Sequence, residues 1–243
     1  MINIDINCDM GESYGNYIIG NDEQIMPYIT SCNIACGFHG GDPMHIEKTL
    51  KNAKEHNLRI GAHPGYPDLN GFGRRNMQLS EDELRTCIKY QVAALVGMGK
   101  SLGITIAYVK PHGALYNKIA DDEKESRIVI QAILDIDATL SVMALAGSKT
   151  ELACQALGVP FIAEAFADRR YTDQGRLASR REPGAVIHDP HAAKKQVSDI
   201  LEKNLVETVE GNYINIKADT YCVHGDNKNA VAILREIHKE LVK

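Results

Sequence analysis

The stretch "NCDMGESYGN" (residues 7–16) follows the first apolar run of the chain, and its reading separates two folds. An open, doubly wound nucleotide-binding sheet carries a phosphate loop directly after its first strand, as G-x-G-x-x-G or as a Walker A sequence. This stretch is neither, and it places the carboxylate of Asp9 where that loop would stand. A second stretch, "AGSKT" (146–150), ends like a Walker A but lacks the first glycine at the required spacing, so it reads as a capped helix start. A closed (β/α) barrel is favoured over the open sheet.

Outward from this stretch, apolar runs of strand length recur: "INIDINC" (2–8), "SCNIACG" (31–37), "LRIGAH" (58–63), "ITIAYVK" (104–110), "TLSVMAL" (139–145), "PFIAEAF" (160–166) and "DTYCVH" (219–224). Each precedes a polar, glycine-containing loop and then an amphipathic pattern, so about seven strands are expected. Helix starts are marked by their chemistry. Ser80 opens the capping box "SEDE" and Ser148 opens "SKTE", while Asp42-Pro43 and Asp189-Pro190 set a side-chain acceptor at the N-cap and proline at the first helical position. Beyond Ser80, Leu84, Ile88, Val92 and Leu95 share one helical face, and Gly103 closes the helix. Alternating strands and helix-length crossovers imply a mainly parallel sheet with helices covering it. The expected fold class is therefore α/β, a TIM-like (β/α) barrel. A chain of 243 residues matches the roughly 250 typical of such a barrel, and residues 1–243 read as one domain. Residues 167–190 contain "DRRYTDQGRLASRREPG", too long and polar for a plain connection, and are expected to form a functional loop or lid.

Bulk composition excludes some classes of function. A net charge of -5 gives no basic face for nucleic acid. Six cysteines occur without a C-x-x-C pair, and the opening "MINIDINCDMGES" lacks the basic and then apolar order of a secretory signal, so the thiols read as reduced and the chain as cytoplasmic. No apolar window approaches the roughly 18 residues of a membrane span. Self-association is left open.

The chemically capable residues collect after the strands. Asp9 follows the first, His39 the second in "ACGFHGGD" (35–42), and His63 closes the third in "GAHPGYPD" (61–68). Lys110 and His112 end the fourth in "YVKPHGALYN" (108–117), Glu164 and Asp168 end the sixth, and His224 follows the last in "CVHGD" (222–226). In parallel α/β folds the carboxyl ends of the strands meet on one rim, where barrel active sites lie. Asp9 reads either as a turn cap or as a general base or metal ligand. Lys110 reads as a barrel-closing salt bridge, as a cation for an anionic ligand, or as a proton donor with a lowered pKa. Arg74 and Arg75 in "GFGRRN" (71–76), with Arg169, Arg170, Arg180 and Arg181 of the long loop, are either surface cations or bidentate partners for a carboxylate or phosphate. His45, His56 and His238 read as surface residues, His188 and His191 as structural, and Cys8, Cys36 and Cys222 as small buried hydrophobes. No HExxH or cysteine-rich zinc spacing occurs; a divalent metal, if the site takes one, would draw on Asp9, His39, His63 and His112.

Taken together, "NCDMGES", "NIACGFHGGDP", "GAHPGYPD", "GFGRR", "VKPHGALYN", "EAFADRRY" and "CVHGD", with the G-x-L-x-x-R pattern at 175–180, resemble the LamB/YcsF family, from about Asn7 through the last helix. The resemblance implies an irregular seven-stranded (β/α) barrel of the kind shared with polysaccharide deacetylases, although their His-x-x-x-His metal motif is absent here. It implies an ATP-dependent 5-oxoprolinase activity: cleavage of 5-oxo-L-proline to L-glutamate coupled to hydrolysis of ATP to ADP and phosphate, in concert with two further subunits, B and C. On that reading Asp9 is the base, His39, His63 and His112 serve proton transfer and polar stabilisation, and Lys110 and Arg74 hold carboxylate or phosphate. Glu164, Asp168, Arg169 and His224 are expected around the substrate. Without a phosphate loop, the nucleotide is expected to be bound largely by, or together with, the partner subunits. Two rivals remain at this point, a metal-dependent carbohydrate deacetylase or amidase and a non-catalytic scaffold protein of the complex.

Overall fold

The computed structural model describes residues 4–241, so the first two positions of the run at 2–8 and both ends of the 1–243 span lie outside the described residues. The strands are β1 (Asp5–Met10), β2 (Ser31–Ala35), β3 (Arg59–His63), β4 (Tyr108–Val109), β5 (Ser141–Leu145), β6 (Phe161–Phe166), the short pair β7 (Leu205–Glu207) and β8 (Tyr213–Asn215), and β9 (Thr220–Cys222). The helices of eight residues or more are preceded by the single turn α1 (Asp22–Ile25); they are α2 (Pro43–Glu55), α3 (Glu81–Ser101), α4 (Gly113–Asp121), α5 (Glu123–Leu134), α6 (Lys149–Leu157), α7 (Pro190–Lys203) and α8 (Ala230–Leu241). Seven strands close into a parallel barrel in the order β1-β2-β3-β4-β5-β6-β9, while β7 and β8 form a separate antiparallel hairpin. All seven expected runs become barrel strands. The hairpin was not expected, because its three-residue strands carry too few side chains to show a period.

Local chemistry accounts for the element ends. Asp42, Ser80, Ser148 and Asp189 each cap the helix that follows by accepting from its first-turn amides, and Ser80 with Glu83 completes the capping box. Leu84, Ile88, Val92 and Leu95 are buried along α3, and Gly103 takes a φ of 64° just past its end. β4 is shorter than its apolar run. Ala107 and Lys110 still donate to the carbonyls of Ile60 and Ala62, both at 2.8 Å, but Pro111 has no amide to carry the ladder further.

The barrel axis is filled with polar groups. The period of two puts Asn7 and Asp9 on one face of β1, and the register sets Asp9 against Asn33 of β2. Asn33 donates to both Asn7 Oδ1 and Asp9 Oδ1 at 2.8 Å, and the Tyr108 hydroxyl donates to Asn33 Oδ1 at 2.6 Å. Gly61 makes room for that ring, since a Cβ there would lie 2.2 Å from it. These buried polar groups thus meet partners that only the closed sheet supplies.

Residues 167–190 form a strapped loop. Arg170 N donates to Ala185 O at 2.9 Å, Ala178 N to Arg170 O at 3.0 Å and Ile187 N to Asp168 O at 2.9 Å. Its anchor is Tyr171, fully buried, whose hydroxyl accepts from Phe166 N at 2.8 Å.

Candidate active site

A cavity of about 450 Å³ opens at the carboxyl end of the barrel. Asp9, His63, Lys110, His112 and His224 line it from the strand ends, and Arg74, Arg169, Arg180 and Arg181 line it from the loops. Residues spread over more than two hundred positions thus share one mouth. Three of the expected site residues do not line it. His39 lies behind His112, the two rings parallel within 3° and 3.7 Å apart. Glu164 lies beneath Lys110, and Asp168 behind His224, accepting from its Nδ1 at 2.8 Å.

Lys110 is the centre of the floor. Its ammonium lies 2.9 Å from Asp9 Oδ1, 2.7 Å from Glu164 Oε1, and 3.2 Å from both Asn7 Oδ1 and Cys222 Sγ. Glu164 also accepts from the Tyr116 hydroxyl at 2.7 Å. Burial disfavours the lysine charge, yet Asp9, Cys222 and Glu164 outweigh it and hold its pKa well above the usual lysine value. The expectation of a lowered pKa is therefore corrected: Lys110 stays charged, and two buried carboxylates are the reason. Burial likewise pushes the Asp9 carboxyl up, but His63 and Lys110 together bring it well below the usual range. Cys222 remains a thiol, because burial raises its pKa more than the neighbouring ammonium lowers it.

The histidines are tied by backbone carbonyls. His63 Nδ1 donates to Lys110 O at 2.6 Å, and His112 Nε2 donates to Phe72 O at 2.8 Å. Their remaining nitrogens face each other at 2.9 Å, and His63 Nε2 also lies 3.3 Å from Asp9 Oδ2. Neither remaining nitrogen carries a proton in the neutral ring, so a shared proton is what lets them approach this closely. Burial, reinforced by the neighbouring imidazoles, holds His39 and His112 well below the usual histidine pKa.

The sequence reading missed Glu12. It is buried behind the same rings, with Oε1 3.2 Å from His39 Nε2, and burial together with Asp9 pushes its carboxyl well up. Nothing in the local pattern of "GES" distinguishes it from a solvated loop residue. Among the arginines, Arg74 pairs with Asp226 at 2.6 Å and lies over the Phe72 ring, whereas Arg75 pairs with Asp68 outside the cavity and Arg170 with Glu207. Arg169 is buried, its guanidinium pKa pushed down to about 10 by burial and Arg180, and its Nε has no partner among the described residues. His45 is half-buried, bonded to Asp42 Oδ2 at 2.7 Å, rather than a plain surface residue.

Two groups of side chains have the composition of a metal site. Asp9, Cys222 and His224 converge, but the Lys110 ammonium sits between the first two and already serves as their cation. Glu12, His39, His63 and His112 form the other group. Glu12 stands in it where Asp9 was expected, because Asp9 Oδ1 is taken by Asn33 and Lys110.

With this arrangement in view, comparison with known proteins is decisive. Residues 4–243 match the model of the LamB/YcsF family. The chain belongs to the LamB/YcsF family. A protein from Acinetobacter baylyi, named as the A subunit of 5-oxoprolinase, is 50% identical over 239 residues, covering 98% of this chain and 94% of the relative. Another from Pseudomonas syringae pv. tomato, named as the third such A component of 5-oxoprolinase, is 48% identical over 238 residues, 98% of this chain and 93% of its own. The crystal structure of the lactam utilization protein from Thermus thermophilus superposes with a TM-score of 0.91 at 39% identity, covering 98% of this chain and 96% of that one. The irregular seven-stranded barrel expected of this family is the fold observed.

Proposed function

We infer that this chain is the A component of a 5-oxoprolinase, a hydrolase acting on a cyclic amide. Its nearly full-length relatives carry that name, and its structural relative is named for lactam use. The reaction is ring opening of 5-oxo-L-proline to L-glutamate, coupled to hydrolysis of ATP to ADP and phosphate within a complex that includes the B and C subunits. The barrel is its catalytic domain, and the loop at 167–190 is the arginine-bearing wall of the site. Six free cysteines suit a reducing, cytoplasmic setting.

One observation carries the reading: a carboxylate held anionic, a proton shared by two histidines and a set of cations face a single cavity. A lactam carbonyl is a poor electrophile, and phosphorylation of its oxygen by ATP makes that oxygen a leaving group. Water then attacks the ring carbon. Asp9 takes the water proton, and the proton shared by His63 and His112 goes to the departing ring nitrogen. Transfer across the 3.3 Å contact between Asp9 and His63 restores the starting state. Arg74, with the loop arginines, holds the substrate carboxylate or the phosphoryl oxygens. Lys110 and His224 set the field on Asp9, while His39, Glu164 and Asp168 act through their neighbours as positioning residues.

The test is glutamate release from 5-oxoproline and ATP by this chain with and without the B and C subunits. Turnover is expected from the assembled enzyme alone. Full-rate turnover by the isolated chain would overturn the assignment of the nucleotide to the partners, and a silent complex would overturn the activity.

A further inference from the structure

Behind the cavity wall, atoms from four separate segments converge: Glu12 Oε1, His39 Nε2, His63 Nε2 and His112 Nδ1, on four buried residues. The backbone decides what two of the rings present. His63 and His112 each spend one nitrogen on a carbonyl, so each aims a lone pair at the other across 2.9 Å. The same His112 lone pair lies 3.5 Å from Glu12 Oε1, which is 3.2 Å from His39 Nε2. His39 Nδ1 has no partner among the described residues, so nothing fixes its tautomer.

One proton relieves the contact between His63 and His112 but not the approach of Glu12 to His112. A divalent ion relieves both. Ligands about 2.0–2.1 Å from a tetrahedral zinc ion lie about 3.3 Å from one another. The separations here, 2.9, 3.2 and 3.5 Å, bracket that value. Anchoring of the second ring nitrogen on a carbonyl is also how ligating histidines are usually oriented. His63 and His112 face the cavity, which supplies an entry path, and Asp9 Oδ2, 3.3 Å from His63 Nε2, adds negative charge at the point of entry.

We propose that Glu12, His39, His63 and His112 bind one divalent transition-metal ion of the zinc type, in place of the proton that His63 and His112 otherwise share. The binding claim stands on geometry alone. Its consequence, that the metal-loaded enzyme has lost the acid for the departing nitrogen, rests on the reading given under Proposed function.

Binding is tested on the chain itself, freed of metal by dialysis against a chelator and titrated with Zn²⁺ in competition with a chromophoric chelator. One equivalent is expected to bind, and Co²⁺ in its place is expected to give the visible absorption of a tetrahedral ion. Glu12→Gln, close in shape to the protonated acid, and His39→Asn should each weaken binding at least about 10-fold. His191→Ala, at an exposed histidine, should leave it unchanged. Circular dichroism confirms that each variant is folded. Absence of a stoichiometric site, or unaltered affinity in both variants, overturns the proposal. On the assembled enzyme, glutamate release should fall in step with Zn²⁺ occupancy. Full occupancy with undiminished turnover would overturn the acid role of the histidine pair, whereas the titration alone decides the metal site, so the two failures are distinguishable.

Discussion

Replacing Lys110 by methionine tests how the floor of the site is held. The methionine fills a similar volume but leaves Asp9 and Glu164 without the ammonium that now lies 2.9 and 2.7 Å away. Asp9 keeps Asn33 at 2.8 Å and His63 at 3.3 Å, whereas Glu164 keeps the Tyr116 hydroxyl. Breaking a buried ion pair from one side costs about 3–5 kcal/mol, because a charge is left without its partner. For a chain of this length that is a fall in Tm on the order of 10 °C. The companion change Glu164→Gln alone removes one carboxylate and leaves Lys110 with Asp9, so its cost should be smaller. In the double variant Lys110→Met/Glu164→Gln no charge is stranded at position 164, and about 2–3 kcal/mol of the summed single losses should be recovered. Urea unfolding followed by circular dichroism measures all three, the chain having no tryptophan to report by fluorescence. If the two single losses add within about 0.5 kcal/mol, the coupling is absent and the account of Lys110 as the common counter-ion is wrong.

Asp9→Asn should lower kcat for glutamate release by the assembled enzyme by about 10²–10⁴ while the chain stays folded, with steady-state kinetics and circular dichroism as the readouts. Gly113→Ala should both destabilise the chain, by about 1–3 kcal/mol, and impair turnover. The residue has a φ of 55°, and a Cβ there would lie 2.6 Å from Gly73 O, so His112 beside it must shift. Acid should unfold the protein from the carboxylate side. Arg85 and Gln131 bring Asp135 down to about 2, and Asp168 and Asp226 are held below their ordinary value against the pull of burial. A group depressed in the folded state stabilises it above the unfolded pKa and loses that contribution as pH falls through the folded one. Stability should therefore decline from about pH 4 toward pH 2, seen as a falling urea midpoint; a midpoint unchanged across that window would contradict the assignment.

Much of the fold was legible in the chain because its signals are local. The four capped helix starts at Asp42, Ser80, Ser148 and Asp189 depend on a side chain and amides two or three residues away, and all four form. Strand ends were legible wherever proline or a left-handed glycine stops the ladder. The candidate site was legible as far as position in the chain goes: Asp9, His63, Lys110, His112, Arg74, Arg169 and His224 all reach the cavity. What remained hidden was depth. His39, Glu164 and Asp168 follow strands just as the others do, yet closure of the barrel sets them one layer back. Glu12 was hidden for the same reason, since its role comes from rings 27 or more positions away.

By itself, then, the order of residues determined the alternation of strand and helix, the rim on which the reactive groups gather and the family to which the chain belongs. Tertiary structure alone decided which of those groups touch. The charge on Lys110, the proton between His63 and His112 and the burial of Glu12 arise from partners far apart in sequence, brought within about 3 Å by a closed sheet that excludes water and so strengthens every charge interaction inside it.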